Sequence, residues 1–240
     1  MAAALGFDGV EVMVWADPDS QDVSVLRTLS RTRGVPVLAV HAPCLLITQR
    51  VWSHDPTIRL RMAAEAAQDL GASTVVVHPP FRWQLRYADR FADLLGEIEA
   101  DTGVAIAVEN MFPVRPLGVR QPMAVSAFAP SIDPTDVGYS HYTLDLSHTS
   151  AAKTDARELA ARMGSRLIHL HLADGSGAPG DEHLIPGRGD QPCAQVCENV
   201  AAAGFRGQVV VEVNTRQAST PARRATELAE ALLFARLHLG

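Results

Sequence analysis

Positive charge is in short supply in this chain. Its 21 Lys and Arg are outnumbered by 27 Asp and Glu, a formal charge of −6. No broad basic surface therefore draws it toward nucleic acid or anionic lipid, although a bound metal would add positive charge locally. Cysteine is scarcer still. Cys44, Cys193 and Cys197 are an odd number and too few for a disulfide framework, and Cys193 and Cys197, four apart in a helical stretch, read as packing residues. No apolar run approaches the roughly 20 residues of a membrane span. The opening "MAAALGFDGVEVMV" lacks the basic region of a secretory signal. The expected location is the cytoplasm, with no membrane partner.

What is present supports a packed core. Apolar residues make up 47% and charged residues 20% of 240 residues, a composition of ordered rather than disordered chains. The whole of 1–240 is expected to form one domain. Short apolar runs, "GVEVMVW" (9–15), "VPVLAVHAP" (35–43), "STVVVHPP" (73–80), "GVAIAVENM" (103–111), "HYTLDLSHT" (141–149), "RLIHLHLAD" (166–174) and "GQVVVEVN" (207–214), read as strands. Near-continuous hydrophobic runs of this kind suit strands buried on both faces of a parallel sheet. Amphipathic stretches at 57–70, 84–100, 154–163, 190–203 and 219–237 read as helices. Strand and helix alternate, which predicts an α/β fold.

Ligand-type residues recur at the C-terminal ends of nearly all these strands: Glu11, His41, His78, Glu109, Asp145 with His148, His171 and Glu212. Convergence on one rim predicts a TIM (β/α)8-type barrel rather than an open sheet with a single switch point. Seven strands are visible. "MAAALGFDG" reads as the end of a helix and its turn, so the expected barrel lacks its first strand in this sequence and exposes edges beside Glu11 and Glu212. The Pro-rich segment of about 112–140, the loop from the fifth strand to the fifth helix in barrel numbering, is long for a loop and reads as a lid or insertion. Arg115 and Arg120 within it are either contacts for an anionic substrate or plain solvated side chains.

A strand-end histidine alone is most often structural, but "VHAP" (His41) and "VHPP" (His78) repeat the feature at equivalent positions. Glu109 and Glu212 interrupt apolar strands, and a buried carboxylate needs a partner. His169 and His171 share one strand face by parity; His171 lies nearer the rim, while His169, deeper, is expected in an outer or structural role. Asp174 is placed to orient a ligand histidine. "DEH" adds Asp181 and His183 from a loop that returns to the rim, and "PGRG" supplies tight turns. Histidine and carboxylate without cysteine suit zinc, manganese, cobalt or iron.

The ordered set "VHAP", "VVHPP", "AVENM", "LDLSHT", "HLAD", "DEHLIPGRG" and "VVEVN", spanning residues 6 to about 214, resembles the xylose-isomerase-like TIM barrel superfamily. That group is shared by sugar isomerases and epimerases and by endonuclease IV-type apurinic endonucleases (AP endonuclease family 2). The resemblance implies a single-metal site at Glu109, Asp145, His171 and Glu212. Positions of a trinuclear zinc site are matched in addition by His41, His78, His148, Asp181 and His183. "LGFDGVEVM", with Glu11, resembles the isomerase and epimerase branch, and the following loop "ADPDSQD" is acidic, which would repel phosphates. Arg82, Arg86 and Arg90 have helical spacing and read as a solvated face.

The implied activity is a sugar or sugar-phosphate isomerase or epimerase using one to three divalent ions, zinc or manganese. Glu109 and Glu212 would be both ligands and the acid/base pair, and Glu11, Arg188 and Arg115 the substrate contacts. The alternatives are a zinc phosphodiesterase acting on abasic DNA and a metal-binding barrel without turnover. A small carbohydrate is the expected partner ahead of nucleic acid, and the chain is a candidate homo-oligomer.

Overall fold

The computed structural model describes residues 1–113, 127–130 and 132–240. Seven strands form one parallel sheet in strict sequence order: β1 (Val10–Met13), β2 (Val37–His41), β3 (Thr74–Val77), β4 (Ala105–Glu109), β5 (His141–Asp145), β6 (Leu167–Leu172) and β7 (Gln208–Val211). Each strand pairs in parallel with the next. Sequential parallel order with helical crossovers curls into a nearly closed TIM barrel. The two end strands, β1 and β7, share no ladder among the described residues. The exposure pattern follows. Every residue of β3 is buried, whereas all four residues of β7 are only half-buried.

Local chemistry sets the element ends. The helix Pro56–Leu70 starts where the Asp55 side chain accepts from the Thr57 backbone N–H and Pro56 occupies the first turn. It stops at Gly71, whose φ of 75° is left-handed. The aliphatic strand residues and helix faces merge in one main core that includes Val75, Ile106, Leu144, Leu170, Phe91 and Ile98.

One sequence expectation fails here. The run 141–149 leaves the sheet at Asp145, and Leu146–Ala152 is a helix. Asp145 is its cap: the carboxylate accepts from the His148 backbone N–H at 2.7 Å. Strand-like composition is overridden by a capping bond three residues along. Of the segment 112–140, Phe128 bridges back to Phe81 and Pro134–Asp136 forms a short 3-10 turn. Arg115 and Arg120 lie outside the described residues. Among those described, no helix is long and apolar enough to cross a membrane.

Candidate metal centre

The rim is built from strand ends. His41, Glu109 and Asp145 are the last residues of β2, β4 and β5, His78 follows β3 directly, His171 is the penultimate residue of β6, and Glu212 follows β7. Backbone pairing aligns these ends, so side chains far apart in sequence meet on one axis. His171 Nδ1 lies 2.8 Å from Glu212 Oε2, 3.0 Å from Glu109 Oε1 and 3.5 Å from Asp145 Oδ2. One ligand atom from each of Glu109, Asp145, His171 and Glu212 falls within 4.8 Å of the others.

The remaining five predicted ligands gather around this group. His41 Nε2 and His78 Nε2 lie 3.4 and 3.0 Å from Glu109 Oε2. Asp181 Oδ2 receives His183 Nε2 at 2.6 Å and lies 3.4 Å from His148 Nε2. Three of the rings are aimed by the backbone: Nδ1 of His41, His148 and His183 contacts the carbonyls of Ala42, Asn110 and Glu212 at 3.1, 2.8 and 2.8 Å. A carbonyl only accepts, so Nδ1 carries a proton and Nε2 is turned to the carboxylates, which it meets as a donor while the ring is protonated. Losing that proton would free the Nε2 lone pair for an ion, as an imidazole ligand requires.

Two buried oxygens of the group, Glu109 Oε2 and Asp145 Oδ2, make no hydrogen bond and meet imidazole nitrogens only at 3.0–3.5 Å. Buried oxygens without hydrogen bonds are costly, and a divalent cation is a partner this donor set suits. The residues present therefore fit a metal.

Electrostatics agree. Burial works against charge on every one of these groups, but neighbours override it. Cys44 and Glu109 raise the pKa of His41, Asp145 and Glu109 that of His148, and Glu212 and Glu11 that of His171. The same histidines hold Glu109 and Glu212 below the usual carboxylate range. At His78 burial prevails and the pKa falls.

Burial likewise opposes charge on His183, but Asp181 lifts its pKa from 6.5 to about 9. A raised value stabilises the fold fully below pH 6.5 and ceases to do so as pH climbs through about 9. The metal-free protein is expected to melt at a lower temperature above pH 9 than at pH 6.5. A melting temperature that holds or rises across that window would rule out the pairing.

Four sequence expectations need correction. Asp174 orients no histidine: its carboxylate accepts backbone N–H groups from Gly175, Gly187, Gly189 and Gln191 at 2.8, 2.9, 3.0 and 3.0 Å. It shapes the loop that carries Asp181 and His183. Arg188 is turned away from the rim and pairs with Glu230 at 2.9 Å, half exposed. Glu11 does not line the cavity; it is buried against His169 and His171 at 2.9 and 3.2 Å. Cysteine is not absent from the neighbourhood either, since Cys44 forms a ligand-spaced group with His41 and His78 and its Sγ accepts from the His78 backbone N–H.

The structure adds residues that the sequence did not single out. Asn110 bridges the ends of β4 and β5, donating to the Asp145 carbonyl at 3.1 Å and accepting from the Asp145 N–H at 2.7 Å. Ser147 donates to Asp181 at 2.6 Å and accepts from the His183 N–H at 3.0 Å. Above the rim opens a cavity of about 770 Å³, walled by Trp15, Ile47, Met111, Phe112, Phe128 and Arg216 and floored by the histidines and carboxylates. A concave apolar site with convergent polar groups suits a small organic ligand.

Comparison with known proteins agrees with the fold. The model of the xylose isomerase-like TIM barrel family matches residues 1–237. An uncharacterized protein of Mycobacterium tuberculosis is 54% identical over 253 residues, covering 99% of this chain and 90% of its own. Fructoselysine 3-epimerase of Escherichia coli O157:H7 is 23% identical over 257 residues, covering 97% of this chain and 91% of its own. The structure of D-psicose 3-epimerase in the presence of D-fructose superposes with a TM-score of 0.65 at 17% identity, over 99% of this chain and 91% of that one.

Proposed function

Because the chain belongs to the xylose isomerase-like TIM barrel family, we propose that it is a divalent-metal-dependent sugar isomerase or epimerase working by proton transfer beside a carbonyl. One observation carries this reading. Glu109, the last residue of β4, and Glu212, just past β7, converge on the same nitrogen of His171 beneath the cavity of about 770 Å³. The named epimerases among the similar proteins support it.

Glu109, Asp145, His171 and Glu212 would hold the ion. Once bound, the ion would polarise the sugar carbonyl and acidify the adjacent carbon. The carboxylate of one glutamate would take the proton from that carbon, and the other would return one. The flanking histidines hold both below the usual carboxylate range, so the base is ready at neutral pH, and the glutamate that returns a proton would first take one from solvent or a substrate hydroxyl. The walls of Phe112 and Phe128 would limit water at the reacting carbon. Incubating the metal-loaded protein with ketoses in D2O tests the reading: deuterium should enter at the carbon next to the carbonyl. A substrate that epimerises without any solvent deuterium would contradict it.

A specific observation favours a second reading. The three rings held at Nδ1 by backbone carbonyls turn Nε2 to Glu109 and Asp181, giving a ligand set larger than one ion needs. It would suit a multi-zinc phosphodiesterase acting on abasic DNA. Elemental analysis of protein purified without chelator separates the two: one ion per chain supports proton transfer, about three zinc ions the phosphodiesterase. His41→Ala should leave a mononuclear epimerase within about threefold of wild type, yet cost a trinuclear hydrolase at least about a hundredfold in kcat.

A further inference from the structure

Beneath the rim, a buried row of polar groups crosses the barrel from its floor to His171. It begins at Gln208, the first residue of β7, whose amide Nε2 donates to the Leu38 carbonyl and to Ser73 Oγ, both at 2.9 Å. A carbonyl cannot donate, so the orientation of this amide is fixed, and Gln208 Oε1 is left to accept from His169 Nδ1 at 3.1 Å. His169 then turns Nε2 to Glu11 Oε2 at 2.9 Å. The other oxygen, Glu11 Oε1, lies 3.2 Å from His171 Nε2. Side-chain exposure along this row is 5% for Glu11 and 0% for both histidines.

The two nitrogens of His171 therefore face different partners. Nδ1 meets Glu109, Asp145 and Glu212, and Nε2 meets Glu11 alone of the carboxylates. An imidazole that ligates through Nδ1 must keep its proton on Nε2, and a buried Nε2–H needs an acceptor. Resting on the metal reading above, we propose that Glu11 is a positioning residue. It accepts the Nε2 proton of His171 and so fixes the tautomer that presents the Nδ1 lone pair to the metal, while His169 and Gln208 hold Glu11 in place.

This role replaces the substrate contact expected of Glu11, whose carboxylate points across the barrel from β1 to β6 and not into the cavity. It also gives His169 a place, since its Nε2 lies 2.9 Å from the second oxygen of Glu11.

The test compares Mn2+ binding by the full-length chain and its variants, using calorimetry and 15N spectra of histidine-labelled protein. Glu11→Gln keeps an acceptor oxygen and should bind Mn2+ within about threefold of wild type. Glu11→Leu removes the acceptor and should bind about 10–100-fold more weakly at the same stoichiometry. In the wild type loaded with diamagnetic Zn2+, the His171 signal should be that of the Nε2–H tautomer, a reading that does not depend on any variant folding. Equal Mn2+ affinity in Glu11→Leu, or an Nδ1–H tautomer in the wild type, overturns the inference while leaving the metal reading intact. Loss of one whole equivalent of metal in Glu11→Leu overturns it in favour of a second cation held by Glu11, His169 and His171. A wild type that takes up no divalent ion overturns both.

Discussion

Glu212→Gln is expected to lower turnover of the ketose by about 10²–10⁴-fold, the usual worth of a positioned acid or base, and Glu109→Gln to do the same. An amide cannot take a proton from carbon, so each change removes one of the two groups that exchange it. The variants should differ in metal binding. Glu109 is ringed by His41, His78, His148 and His171, and its loss removes the carboxylate that all four share. Glu212 faces His171 at 2.8 Å and is partly exposed. Glu109→Gln should therefore lose more metal affinity than Glu212→Gln, and excess metal should restore occupancy of the latter without restoring turnover. Steady-state kinetics with metal titration decides. Either variant turning over within about threefold of wild type would remove that glutamate from the chemistry.

The second large effect is on stability. Asp174 is fully buried and satisfies four backbone donors of the loop that leaves β6. Asp174→Ala leaves those donors without their acceptor, at about 1–3 kcal/mol for each that stays buried. Water will reach some of them, so a total of at least about 3 kcal/mol is expected, a fall in melting temperature on the order of 10 °C for a chain of this size. The damage should extend to function because the same loop delivers Asp181 and His183. Asp174→Asn, which keeps one acceptor oxygen, should fall between. Gly189→Ala attacks the arrangement from the other side: a Cβ there would sit 2.4 Å from both Asp174 Oδ1 and the Gly175 carbonyl. Thermal melts check all three, and an Asp174→Ala protein that melts with the wild type would show that the loop stands without it.

The barrel was legible in the sequence because its signal is local and repeated. Apolar runs of strand length recur, and each ends in a histidine or carboxylate that no core position needs. Parity along β6 was enough to prefer His171 over His169 as the rim residue, and pairing places them as parity requires. Other features depend on distance in sequence and left no local trace. The partner of Glu11 lies 158 to 160 positions away on β6, so its inward turn shows only once the strands are assembled. Arg188 looked like a ligand contact because of the glycines around it, but its direction is set by Glu230 on the last helix. Asp174 was read from its closeness to His171, whereas its hydrogen bonds run forward into a glycine-rich loop. Cys44 was counted and passed over, because only the packing of β2 against β3 brings it to His78.

Among the described residues β1 and β7 each pair with one strand only, and this carries a consequence of its own. β1 brings Glu11 and β7 leads to Glu212, and both carboxylates reach His171. Amides along such free margins exchange with solvent through small openings at low free-energy cost. Here an opening at either margin would also pull a carboxylate from the imidazole. An ion held by Glu212 and His171 would clasp the last strand to its neighbour β6, and ion escape and fraying of β7 would become one event. Ligand linkage then requires that loading with metal slow hydrogen exchange most along β7, the strand whose grip the clasp secures.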